Sequence, residues 1–228
     1  MRTVDLSKTT LRDVNEALHK LPKETNETHW LITNPNGKHA VACGLTLPIA
    51  VNIEGHVGYY CAGMNENAVV TINGNAGAGV GENMMSGEIR VKGDASQAAG
   101  ATGRGGLLVI DGNASSRCGI SMKGIDIVVK GSIGSMSAFM AQAGNLVVLG
   151  DAGEALGDSI YEARLFVRGT VASLGADCIE KEMGPEDRAA LDALLDRAEV
   201  KGVSSKDFKF YGSARRLYHF HVDNVDAY

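Results

Sequence analysis

Gly55, Gly74, Gly93, Gly112, Gly131, Gly150 and Gly169 form an unbroken series in which each glycine is followed by the next at the nineteenth position. Around each the same pattern returns. Four residues earlier stands an aliphatic side chain (Val51, Val70, Ile89, Leu108, Ile127, Leu146, Leu165), and two residues earlier a β-branched one (Ile53, Ile72, Val91, Ile110, Val129, Val148, Val167). Positions two apart on a strand share a face, so each unit opens with a short strand that points two apolar residues inward. The residue after each glycine is polar and the next is Val, Ala or Ile, as expected where the chain turns a corner and heads back in. A second corner, seven residues past the glycine, carries only Gly or Ala (Ala62, Gly81, Gly100, Gly119, Ala138, Gly157, Ala176).

One such unit cannot bury its apolar face alone, whereas stacking at the ~4.8 Å strand spacing pairs every strand and builds a continuous core. The expected fold is therefore an all-β core, a parallel β-helix of seven 19-residue coils over residues 51–176. Parallel crossovers are right-handed in ~98% of cases, and 19 does not fit the period of the left-handed hexapeptide helices, so a right-handed coil is expected. None of the four prolines falls inside the coils, where a missing N–H would break a ladder.

The flanks are short caps. In residues 1–50, Thr10 and Asp13 mark a helix start, with Val14, Ala17, Leu18 and Leu21 at helical spacing before Pro22. Segments 30–33 and 39–43 around Asn34-Pro35-Asn36-Gly37 then predict a hairpin. In residues 177–228, Pro185 opens a helix with Leu191, Leu194, Leu195 and Ala198 on one face, ending near Gly202.

Charge and cysteine usage narrow the function classes. A net charge of −5 leaves no basic footprint for nucleic acid or an anionic membrane. No apolar stretch reaches the roughly 18 residues of a membrane span and no signal peptide opens the chain, so a cytoplasmic location is expected. Cys43, Cys61, Cys118 and Cys178 lack CxxC pairing and read as reduced thiols; Cys61 and Cys118, three coils apart at ~14 Å, are too distant for a disulfide. His219 and His221 share a strand face but have no third ligand at useful spacing. In Gly74 to Gly81 the glycines suggest a phosphate loop, yet no helix follows and two of them are repeat corners, so the dinucleotide reading fails. Lys92, Asp111 and Lys130 stack in an outward column as a surface charge ladder. No residue is assigned a catalytic, cofactor-binding or metal-binding role; the seven marker glycines are structural.

One column asks for a cover. Three residues before each glycine stand Asn52, Thr71, Arg90, Val109, Val128, Val147 and Phe166, on the outward face. The last four form an apolar stripe ~14 Å long, a candidate interface that either the chain's own Leu191, Leu194 and Leu195 or a partner subunit would cover.

Gly77-Ala78-Gly79-Val80-Gly81, set among Gly-x-x-Gly corners such as Gly55 to Gly58, Gly131 to Gly134 and Gly150 to Gly153, resembles the GXGXG domain over roughly residues 30–176. That family includes the C-terminal domain of glutamate synthase large subunits and the C subunits of formylmethanofuran dehydrogenases. The whole chain, from Met1-Arg2-Thr3-Val4-Asp5-Leu6 to the segment Arg215 to Asn224, looks most like the free-standing GXGXG subunits of N-methylglutamate synthases (methylamine-glutamate N-methyltransferases). The resemblance implies a non-catalytic scaffold in a complex that converts methylamine and L-glutamate to N-methylglutamate and ammonia. Its implied partners are an amidotransferase-like subunit and a glutamate-synthase-like subunit carrying FMN and an iron-sulfur cluster. Two readings from other classes stay open: a C subunit of a formylmethanofuran dehydrogenase or formyltransferase/hydrolase complex, and a stand-alone β-helical enzyme.

Overall fold

The computed structural model describes residues 1–216. Its single sheet follows the chain almost strand by strand. The parallel strands β1 (Arg2–Asp5), β2 (His29–Thr33), β3 (Ala50–Glu54), β4 (Val69–Asn73), β5 (Glu88–Val91), β6 (Leu107–Ile110), β7 (Lys123–Val129), β8 (Ala143–Val148) and β9 (Arg164–Val167) stack in sequence order. From β3 to β9 the register is that of the sequence repeat, with Val51 opposite Val70, Val70 opposite Ile89, and so on to Leu146 opposite Leu165. The two inward columns are fully buried, and the small column Val57, Ala76, Ala95, Ala114, Ile133, Ala152, Val171 bridges coil to coil around the corner. The chain is a parallel β-solenoid with an apolar interior.

Two stretches depart from the sequence reading. Residues 30–43 form no hairpin. Trp30 lies opposite Val51 and Ile32 opposite Ile53 in parallel, so β2 is a further coil strand, separated from the next by two residues more than the repeat. Asn34 takes the place of the marker glycine there, with a left-handed φ of 54°. At the other end the seventh coil is one residue short: Val171 still faces Ala152 in the register of the repeat, but Leu174 faces Leu156, one position nearer along the chain. Ala176 consequently loses its corner role, and the left-handed residue of this turn is Asp177.

Both ends of the rod carry a cap. Helix α1 (Leu11–His19) starts at Thr10, whose hydroxyl accepts the Asp13 amide, and buries Val14 and Leu18. Its Asn15 donates to the Ala40 carbonyl at 2.8 Å and accepts the Ala42 amide at 3.0 Å, satisfying backbone groups of the first coil that have no coil before them. At the far end β11 (Lys209–Ser213) runs antiparallel to β9, and β10 (Cys178–Lys181) pairs antiparallel with β11. The change of direction stops the parallel stack and leaves β10 as an edge carrying Glu180 and Lys181, charges that discourage further strand addition. Helix α2 (Pro185–Arg197) lies outside the rod.

Candidate functional site

The polar residue after each marker glycine has a defined task. The side chains of His56, Asn75, Asp94, Asn113, Ser132 and Asp151 each accept the backbone N–H of the residue 19 positions later, at 2.7 to 3.0 Å. Since the donor is always a backbone N–H, Nδ1 of His56 must be the unprotonated ring nitrogen. Each bond satisfies an amide that the corner would leave open, and each requires consecutive coils to approach closely. That approach explains the glycines: a Cβ on Gly74 would lie 2.6 Å from the Gly55 carbonyl carbon, and one on Gly169 2.6 Å from that of Gly150.

The GXGXG segment follows from the same geometry. Gly77 packs on the Gly58–Tyr59 backbone, where a Cβ would meet the Gly58 oxygen at 2.7 Å. Gly79 and Gly81 instead need their left-handed φ values, 69° and 66°. The first six coils place left-handed residues at these alternate positions, and other coils carry Ala, Tyr, Arg or Met there. The glycine run is thus a property of the coil, with no helix behind it to hold a phosphate.

The outward charge column is a ladder too. Lys92 and Lys130 bracket Asp111 at 3.1 and 2.8 Å, and Asn73 donates to Glu54 at 2.7 Å. Partial burial pushes the Asp111 carboxyl up, but hydrogen bonds from Lys130 and Lys92 outweigh it and leave the group below its ordinary range.

The apolar stripe is covered from within. Val109, Val128, Val147 and Phe166 are buried in a second core with Leu191, Leu194, Leu195 and Ala198 of the α2 segment and with Phe208 and Phe210. The Phe166 and Phe210 rings stack at 5.1 Å. As a surface open to a partner the stripe is therefore corrected: α2 and the β11 strand occupy it, because burial of each such side chain stabilises by ~1.5 to 3 kcal/mol. Arg197 pairs with Asp126 at 3.2 Å, and Arg164 with Asp187 at 3.4 Å. Arg90, where the column turns polar, donates to the Arg197 carbonyl at 2.8 Å and meets Glu199 at 3.3 Å. The abrupt change from Arg90 to Val109 was the sequence signal for where the helix ends; the contribution of Phe208 and Phe210 had none.

The four cysteines are free, and Cys61, Cys118 and Cys178 are buried. Burial pushes all three thiols far up, Cys118 to about 12. Among the described residues no three His, Cys, Asp or Glu side chains converge where a metal ion would sit. His219 and His221 lie outside the described residues. No helix among the described residues is long and apolar enough to cross a membrane.

Over all 228 residues the chain is 64% identical to the protein named GlxC of Rhizobium meliloti (strain 1021), and the match covers both chains from end to end. This chain belongs to the GlxC family. No protein-family model matches it. At that identity the repeating coil, its glycine corners and the α2 cover described above are the framework on which a GlxC-family protein is to be understood.

Proposed function

We propose that this GlxC-family chain is the scaffold subunit of a glutamate-synthase-like complex, an N-methylglutamate synthase that converts methylamine and L-glutamate to N-methylglutamate and ammonia. The observation that carries this reading is how the coils use their polar groups. The ladder side chains after the glycines hold backbone amides, Lys92, Asp111 and Lys130 hold one another, and three of the four thiols are buried. The resemblance of the coils to GXGXG domains and the full-length relationship to a GlxC protein support the same assignment. FMN and the iron-sulfur cluster would then reside in a partner, and this chain would fix the geometry between an amidotransferase-like and a flavin-bearing subunit.

The test is to purify the tagged chain from its host and, separately, by itself. The complex should show flavin absorbance and form N-methylglutamate from methylamine and glutamate. The isolated chain should be colourless and form none. Turnover by the isolated chain, or recovery without any flavoprotein partner, would overturn the assignment.

A further inference from the structure

The residues eleven positions after successive marker glycines form a ridge: Met85, Arg104, Lys123, Gln142 and Tyr161. Their amides donate to the preceding coil at 2.7 to 2.8 Å, so the positions follow one another at the strand spacing of ~4.8 Å, with a shift after Lys123, which lies opposite Ala143. Arg104 and Lys123 are thus two exposed cations on adjacent rungs. Neither pairs with a carboxylate among the described residues. The acids that lie closest along the chain are committed elsewhere, Asp111 to Lys92 and Lys130 and Asp126 to Arg197.

That arrangement opposes folding. Like charges directly opposite on neighbouring strands repel, and the chain has acids to spare, 27 against 22 basic residues. No acid stands on this ridge in the middle coils. Around the two cations the chain is stripped of bulk by Gly103, Gly105, Gly106 and Gly124, and large apolar side chains sit on either side. Met85, one rung before Arg104, is 45% exposed, and Met140, two residues before Gln142, is 38% exposed. Exposed methionines beside unpaired cations suit an adaptable protein surface.

We propose that the Met85–Arg104–Lys123 stretch of the ridge, with Met140 beside it, is a docking surface for an acidic segment of a partner protein. The partner would present two carboxylates about one rung apart, with apolar side chains for the methionines. The proposal rests on the scaffold reading, and it names the surface through which one partner is held. Charge complementarity selects the occupant. A nucleic acid would also answer the two cations, but it meets the net charge of −5 over the rest of the chain and gains nothing from the methionines.

The experiment uses the tagged full chain expressed in its host, as wild type and as the double variant Arg104→Glu, Lys123→Glu. Wild type should recover its partner in amounts that fall with rising salt, and the variant should recover at least tenfold less. The melting temperature of a purified Arg104→Gln, Lys123→Gln variant should not drop, because there a repulsion has been removed; residues kept for stability would behave in the opposite way. If the double reversal does not fold, Arg104→Gln with Lys123→Gln serves, with the same outcome expected. Carbodiimide treatment of the wild-type complex should join the Lys123 amine to a partner Asp or Glu, read by peptide mass spectrometry. Undiminished partner recovery by the variant, cross-links that avoid Lys123, or binding of a single-stranded oligonucleotide lost in the variant would each overturn the ridge proposal while leaving the scaffold reading intact. A wild-type chain that brings down no partner defeats the scaffold reading, and the ridge with it.

Discussion

Replacing Gly112 by alanine tests the coil geometry at a corner glycine in the middle of the rod. The backbone of Gly112 is not left-handed, so alanine's conformational preference is no obstacle and the conflict is one of space. The new Cβ would stand 2.8 Å from the Gly93 oxygen and 2.9 Å from its carbonyl carbon, and would also press on the Asp94 carboxylate. Ordinary carbon contacts begin near ~3.5 Å. The two coils must part by roughly half an ångström to clear the Gly93 backbone, and Asp94 must swing away and release the Asn113 amide it holds at 2.7 Å. Overpacking of this kind costs ~1 to 3 kcal/mol, and a lost hydrogen bond to a charged group ~1.5 to 3 kcal/mol. Because Asp94 is exposed, the bond counts at the low end, and a total of ~2 to 4 kcal/mol is expected. Gly37→Ala is the internal control: its φ of 70° brings strain of ~1 kcal/mol, but nothing lies within 4 Å of the added carbon. Urea unfolding of both variants followed by circular dichroism gives the comparison, with the slope checked for constancy. A Gly112→Ala midpoint at or above that of Gly37→Ala would refute the argument that coil approach, and not local conformation, demands the glycine.

Val128→Asp should destabilise the purified chain by ~4 kcal/mol or more, the sum of lost burial and an unpaired carboxylate under α2; hydrogen exchange along α2 would report it, and an unchanged midpoint would remove α2 as the cover. Thr10→Ala should cost ~1 kcal/mol through the lost cap on the Asp13 amide, visible as a lower urea midpoint. A thiol reagent on the native chain should label the half-buried Cys43 and spare Cys61 and Cys118 until denaturant is added. The depressed Asp111 carboxyl contributes stability that is present above its unfolded value and lost as pH falls through its folded value. The stability difference between wild type and Asp111→Asn, read by urea titration at several pH values, should therefore shrink in acid.

The solenoid was legible because its constraint repeats. Each corner glycine answers the same close approach, and each β-branched residue two places before it fills the same interior slot, so seven copies display one rule. Where the rule is met by other means, sequence reading stops short. Asn34 stands in the corner glycine's place with a left-handed φ that the mid-rod corner glycines do not share, and it precedes Gly55 by two positions more than the repeat, so the coil around Trp30 resembled a turn between two strands. The last coil drops one residue between Val171 and Leu174, which misplaces Ala176. Strand β11 has no copy elsewhere, and Lys209 to Ser213 alternates too weakly to announce a partner. The apolar stripe from Val109 to Phe166 stated that a cover was needed. It could not state whose, because apolar area is the same whichever chain supplies it.

The ladder of corner side chains makes the rod's length adjustable only in whole steps. Every bond runs from one coil to the amide one full repeat later, so a change of a few residues, like the two extra between Trp30 and Val51, is absorbed within its own coil and leaves the number of rungs unchanged, while one that spans a whole repeat adds or removes a rung. From Val51 to Leu165 there are six such steps, ~29 Å at the strand spacing. A body built this way is a gauge block: whatever attaches at its two ends is held at a separation that evolution can alter by ~5 Å at a time and by nothing smaller.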